Sequence, residues 1–185
     1  MSAEQNIKKK KKKDSFETGL LPGYTRVIHS LEPVYDRNSR ILILGSFPSV
    51  RSREQDFYYG HPQNRFWKVL AALTESTVPQ TIEEKKKMLL ENGIAIWDVI
   101  QRCSIQGSSD SSIRDVVAND IASLLEKSKI SKIYGNGAKA CELYDKFVRE
   151  QTGIDIQKLP STSPANAMYQ LERLQKEWGR ILDKD

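Results

Sequence analysis

Four branched apolar residues in a row, Ile41 to Leu44, run straight into a loop crowded with aromatics and amides, ILILGSFPSVRSREQDFYYGHPQNRFW, and this junction constrains the fold more than any other part of the chain. A strand with one face in water alternates apolar with polar side chains. An uninterrupted run reads instead as a central parallel strand covered on both faces. The strand stops at Gly45, and the loop beyond it is too rich in Phe, Tyr, His and Asn to be a plain connection. Loops at the carboxyl ends of parallel strands are where α/β proteins place their ligand sites, so function is sought here first.

The rest of the chain alternates strand and helix signals. Thr25 to Asp36 supplies an edge element, and Arg40 to Leu44 is the strongest strand. Asn64 to Leu73 reads as a helix with Trp67, Leu70 and Leu73 on one side, and Ile82 to Glu91 as a second. After Asn92-Gly93 comes an apolar strand, Ile94 to Ile100, interrupted by Asp98. The clearest helical stripe is Ile113, Val116, Val117, Ile121, Leu124 and Leu125, which predicts a helix over Ser112 to Lys127 with capping groups in Ser109 to Ser111. Lys132 to Tyr134 and Ile156 to Leu159 read as short strands, Ala138 to Val148 as a helix. Met168 to Ile181 reads as a final helix, with Leu171, Leu174, Trp178 and Ile181 aligned. Strands alternating with helices predict an α/β fold with right-handed crossovers.

At 185 residues with 38% apolar content, the chain can bury one good core. A lysine-rich arm over residues 1 to 15 and a single domain over 16 to 185 are expected. The arm stands apart because Lys8 to Lys13, against the single acid Glu4, carry the whole formal charge of +5; the remainder is balanced. Six adjacent like charges repel, so the arm is expected to be disordered. Two readings of it stand side by side: a salt-dependent contact to a polyanion, or a solvated tail without a role. The chain contains neither an apolar run of bilayer length nor a signal-peptide pattern, which predicts a soluble cytoplasmic protein, nucleoid-associated if prokaryotic. Cys103 and Cys141 are too few for a disulfide framework and are expected to be small buried or half-buried hydrophobes.

Several chemistries are disfavoured by the motifs the chain lacks. There is no GxxxxGK[ST] or GxGxxG loop, and Gly135-Asn136-Gly137 before a helix is a weak anion signal. His29 and His61 are far apart and outside any HExxH helix, so no metal is expected. No GxSxG elbow is present.

The motifs that are present form a combination: GSFPS after the first strong strand, YYGHPQNRFW leading into a helix, WDVI near the middle, and LPSTSPAN after the last strand. From about Val27 to Leu182 this resembles the uracil-DNA glycosylase superfamily, most closely its deoxyinosine (hypoxanthine-DNA) glycosylase branch. The resemblance implies a three-layer αβα fold with a central, mainly parallel four-stranded sheet. It also implies a monofunctional enzyme that hydrolyses the N-glycosidic bond of a deaminated base in base excision repair, most simply hypoxanthine, with uracil or xanthine as the alternative bases and a non-catalytic lesion- or DNA-binding module as the alternative function. No cofactor is implied. The partners would be double- or single-stranded DNA carrying deaminated bases, with the protein acting as a monomer and no membrane involved.

The same resemblance distributes the residues. A glycosylase turns its target nucleotide out of the stack and grips the base by stacking and edge hydrogen bonds. Gly45, Ser46, Phe47 and Pro48 would line the base pocket, with Ser49 against DNA. Tyr59 falls where relatives sharing HPxNRFW keep a stacking aromatic; Phe66 and Trp67, on the following helix, read as core. Mismatch-specific relatives carry the water-positioning Asn in the first loop, where this chain has Phe47. The amide of Asn64 is its natural substitute, orienting water rather than removing a proton; as the residue before a helix, Asn64 also reads as its cap. Asp98 aligns with a base-reading Asn of uracil-specific relatives, and an ionised carboxylate there would accept from N1–H of hypoxanthine. A structural role at a strand end is the other reading. His61 would polarise a base oxygen or a phosphate, or lock its loop by bonding a carbonyl. Ser161, Thr162, Ser163, Pro164, Ala165 and Asn166 resemble a loop pressed into the minor groove, where hydroxyls and amides hold phosphates without net charge; a proline-rich turn is the alternative.

Overall fold

A computed structural model describes residues 20–107 and 109–183. The lysine arm expected to be disordered lies outside them. In chain order the elements are β1 (Thr25–Ile28), β2 (Ile41–Gly45), α1 (Val50–Glu54), α2 (Phe66–Leu73), α3 (Ile82–Glu91), β3 (Ile94–Asp98), β4 (Ile100–Ile105), β5 (Arg114–Ala118), α4 (Ile121–Glu126), β6 (Lys132–Asn136), α5 (Ala138–Phe147), α6 (Arg149–Thr152), β7 (Ile156–Leu159) and α7 (Leu171–Trp178).

The main sheet has the order β3-β2-β6-β7 with every pairing parallel. All of β2 is buried, and its side chains divide between two cores. Ile41 and Ile43 pack with Phe66, Trp67, Leu70, Leu89, Leu174 and Trp178 on one face. Leu42 and Leu44 pack with Ile121, Leu124, Leu143 and Tyr144 on the other. The apolar run is thus a strand with helices on both faces, as expected.

Three elements depart from the sequence reading. Ile94 to Ile100 is not one strand: β3 ends at Asp98, and β4 leaves for a second, antiparallel sheet of order β1-β4-β5. The Asn119 side-chain amide donates to the carbonyls of Asp98 and Ile100 at 2.8 and 3.2 Å and pins this switch. Ser112 to Lys127 is not one helix. A 3₁₀ turn over Asp110–Ser112 leads into strand β5, and only α4 is α-helical, started by Asp120, whose carboxylate accepts from the Ser123 N–H at 3.1 Å. Ile113, Val116 and Val117 satisfy a helical stripe, yet β-branched side chains lose rotamer freedom in a helix and fit a pleated surface better. The last helix is shorter than Met168 to Ile181: α7 passes into a 3₁₀ turn over Gly179–Leu182, and Met168 is exposed.

Other readings agree. α3 matches its expected bounds and opens with a reciprocal capping box between Thr81 and Glu84. Cys103 is buried and Cys141 half-buried, and neither forms a disulfide among the described residues. Among the described residues, no helix is long and apolar enough to cross a membrane.

Candidate active site

The carboxyl ends of β2, β3 and β6 meet the loop after β7 around a cavity of about 280 Å³, near the lower end of small-ligand pockets, roughly 300 Å³. Each strand delivers one polar or small residue to it: Gly45, Asp98 and Asn136, followed by Ser161 to Pro164. The long loop after β2 closes the remaining side. A second cavity of similar size lies on the antiparallel sheet between Arg26, Arg102, Ser104 and Asp115, away from the converging strand ends.

Of the residues expected from sequence, Gly45, Ser46, Phe47, Pro48, Ser49, Tyr59, His61, Asn64, Asp98, Ser161, Thr162, Ser163 and Pro164 all line this one cavity. Ala165 and Asn166 do not line it. The Asn166 amide instead donates to the Ser161 carbonyl at 3.0 Å, closing its own loop. Thr162 is wholly buried, its N–H and hydroxyl paired with the Asn136 side chain at 3.0 Å each, so it braces the loop and presents nothing to a phosphate. Ser49 is exposed and caps α1, accepting from the Ser52 N–H at 3.2 Å.

Tyr59 has φ +53°, a left-handed conformation rare outside glycine, and such strain gathers at functional sites. One ring face stacks on Phe66 with centroids 3.8 Å apart, leaving the opposite face as the one available to a base. The Tyr59 hydroxyl is buried and finds no hydrogen-bond partner among the described residues. Burial, and then the Asp98 charge, push its ionisation well above the usual tyrosine range against a smaller opposing pull from the neighbouring Asn136 side chain, which falls short of hydrogen-bond geometry, so it stays a neutral O–H.

The HPQN segment is a tight turn: the Asn64 N–H donates to the His61 carbonyl at 2.9 Å, and His61 Nδ1 accepts from the Gln63 N–H at 3.1 Å. His61 therefore locks the loop by accepting an N–H rather than by bonding a carbonyl. That contact places the ring proton on Nε2 in the neutral form, a donor left for other partners. Asn64 Oδ1 accepts from the Phe66 N–H at 3.0 Å, satisfying one orphan donor of α2. Its second Oδ1 lone pair and its NH₂ group lie beyond that bond.

Three contributors were not foreseen. Asn136, seen in sequence only as part of GNG, stands at the end of β6, where Gly137 takes φ +95° to turn the chain into α5. His29 pairs with Asp98, Nε2 to Oδ2, at 2.8 Å across 69 residues of sequence. Arg53 on α1 lines the cavity with its guanidinium 5.8 Å from the Phe47 ring centroid. The position of Asn136 at a strand end was a usable signal; nothing in the sequence ties His29 to Asp98.

Similarity to known proteins agrees with this geometry. The family model for the uracil DNA glycosylase superfamily matches residues 32–182. The chain is 41% identical over 150 residues to a protein named hypoxanthine DNA glycosylase from Methanosarcina acetivorans, covering 80% of this chain and 93% of that one. It is 34% identical over 136 residues to another of that name from Methanosarcina barkeri, covering 72% and 85%. A solution NMR structure of a candidate uracil DNA glycosylase from Methanosarcina acetivorans superposes with TM-score 0.73 at 36% identity, over 85% of this chain and 97% of the other. By its fold, the position of its cavity and a sequence match running from Glu32 to Leu182, the chain belongs to the uracil DNA glycosylase superfamily.

Proposed function

We propose that this protein is a monofunctional DNA glycosylase that extrudes a deaminated base, with hypoxanthine as its main substrate, and hydrolyses its N-glycosidic bond to leave an abasic site. The observation that carries the reading is the convergence of Tyr59, Asp98 and Asn64 on one base-sized cavity at the strand ends. The two relatives named hypoxanthine DNA glycosylase support the choice of base.

The free face of Tyr59 stacks the extruded base, as a flat apolar surface suits a purine. Asn64 orients the attacking water through its unused Oδ1 lone pair, an effect of geometry rather than of proton removal. His61 donates from Nε2 toward the departing base or a phosphate, easing the negative charge that develops as the bond breaks. Ser161, Ser163 and Pro164 rim the cavity and meet the DNA backbone. A single chain suffices for the reaction, since the cavity at the strand ends takes one nucleotide. No lysine among the described residues lines the cavity, so water rather than an amine is the nucleophile.

Single-turnover cleavage of duplexes bearing one inosine or one uracil, developed by alkali, tests the reading. Inosine should be cleaved by the wild type and about 100-fold more slowly, or more slowly still, by Asn64→Ala. Uracil-only cleavage would move the substrate to a pyrimidine. Cleavage of neither base, or a covalent adduct trapped by borohydride, would overturn the mechanism.

A further inference from the structure

We propose that His29 and Asp98 form a buried dyad that reads the lactam N–H deamination creates on a base, with His29 as the positioning residue and Asp98 as the reader. This rests on the assignment of the cavity as a base pocket.

Both side chains are nearly sealed, at 2% and 5% exposure, and Nε2 of His29 meets Oδ2 of Asp98 at 2.8 Å. The other ring nitrogen decides the tautomer. His29 Nδ1 accepts from the Leu31 N–H at 3.2 Å, so it holds a lone pair and the ring proton sits on Nε2. His29 is then a neutral donor, and Asp98 a carboxylate with one oxygen engaged. The ring is held edge-on to Phe47 at 5.9 Å and against Tyr58 at 6.2 Å. Tyr58 does not compete for the carboxylate, because its hydroxyl donates to the Glu32 carbonyl at 2.8 Å.

The second oxygen of Asp98 is the one that matters. Oδ1 lies against the Cα of Gly45, where any Cβ would overlap it, on a residue that lines the cavity, and the hydrogen bond this carboxylate makes among the described residues is the one from His29 to its other oxygen. A carboxylate on a cavity wall, with one oxygen fixed and the other left to the cavity, is an acceptor for an N–H that enters.

That is the group deamination supplies. Adenine has a lone pair at N1 and hypoxanthine has N1–H; cytosine has a lone pair at N3 and uracil has N3–H. The dyad therefore attracts the deaminated product and repels the parent base. Guanine and thymine carry the same N–H, so the dyad accounts for rejection of adenine and cytosine alone. Sites built around a buried hydrogen bond discriminate strongly because the mismatched base leaves a buried polar group unpaired.

The test compares wild type, Asp98→Asn, His29→Phe and His29→Gln on two readouts: single-turnover cleavage of inosine against adenine duplexes, and competitive binding of free hypoxanthine against free adenine. Asp98→Asn, nearly isosteric but able to donate, should lower both preferences at least about tenfold. His29→Phe should lower them similarly, and His29→Gln, which retains a donor, should restore much of the loss; a merely structural histidine would change stability without moving the ratios. If wild type cleaves inosine and all variants keep its preferences, the dyad is overturned and the glycosylase stands. If wild type cleaves no deaminated base yet prefers free hypoxanthine, and Asp98→Asn abolishes that preference, the glycosylase reading fails and the dyad stands. If wild type prefers neither, both fail.

Discussion

Replacing Arg65 tests how the two halves of the site are held together. Arg65 precedes α2, and its guanidinium donates to the carbonyls of Thr162, Ser163, Asn166 and Tyr169, all in or just beyond the Ser161–Asn166 loop. Three of these carbonyls keep a backbone donor without it: Arg65 N–H to Thr162, Asn166 N–H to Ser163 and Tyr169 N–H to Asn166. Only the Tyr169 carbonyl is left without a donor among the described residues. Losing that charge-assisted bond costs roughly 1.5–3 kcal/mol and the shared ones a few tenths each, so Arg65→Met should lose about 2–4 kcal/mol. For a chain of this size that is a fall in Tm of roughly 4–16 °C. Arg65→Lys should recover less than half, because a point charge cannot reach carbonyls on both sides of a planar fork. Urea unfolding followed by tryptophan fluorescence reads the loss, and single-turnover cleavage should fall with it as the loop wall loosens. A loss below about 0.5 kcal/mol in Arg65→Met would show that water replaces the guanidinium without penalty and refute the bracing argument.

Three further outcomes are expected. Tyr59→Phe removes a buried hydroxyl that has no partner among the described residues, so stability in urea should stay level or rise by about 1 kcal/mol while inosine cleavage slows; a clear destabilisation would mean that the hydroxyl is paired after all. Burial, and then the Asp98 charge, raise the Tyr58 ionisation far above the ordinary value of 10.0. Folded and unfolded chains both keep that proton below pH 10, and above it only the unfolded chain releases it. Stability should therefore fall as pH rises past 10, by up to about 1.4 kcal/mol per pH unit for this group, and less steeply in Tyr58→Phe; equal slopes would count against it. Deleting residues 1 to 13, with their net charge of +5, should flatten the plot of log affinity for undamaged duplex against log salt, by as much as about five in slope. An unchanged slope would identify the arm as a solvated tail.

How much of this was legible depended on whether the signal was local. β2 was readable because both of its faces are buried, which writes four apolar residues in succession; α3 was readable because its cap is written within four residues, Thr81 to Glu84. The region from Ser112 to Lys127 misled because strand and helix share it. Arg114 to Ala118 belong to a strand whose partner, β4, contains Arg102 and Ser104 and so lacks a plain apolar alternation. At the site, thirteen expected residues reached one cavity because they cluster in motifs at strand ends. Thr162 was misjudged because a hydroxyl reads alike whether it faces solvent or an amide across the sheet. His29 was missed because its only mark in sequence is a histidine beyond an edge strand, 69 residues from the carboxylate it orients.

The features that weaken the fold meet at one place. Tyr59 sits in a left-handed conformation, its hydroxyl is buried without a partner among the described residues, and the Asp98 carboxylate is held at the cavity wall with one oxygen against Gly45. The two Tyr59 features are each unfavourable on their own, by roughly 1–3 kcal/mol for strain or an unsatisfied buried group, and a nearly buried carboxylate is costly to desolvate. The surroundings hold them in place: Phe66 stacks on Tyr59, His29 fixes Asp98, and Asn136 clamps Thr162 on the facing loop. A packed scaffold that keeps polar groups unsatisfied and oriented is prepared for a ligand that will satisfy them. A deaminated base fits that need, with a ring to stack on Tyr59, an N–H for Asp98 and a carbonyl oxygen for a hydroxyl or His61. The base thereby recovers in the pocket part of the stacking and pairing it gives up on leaving the duplex, whereas adenine, presenting a lone pair to Asp98, would not.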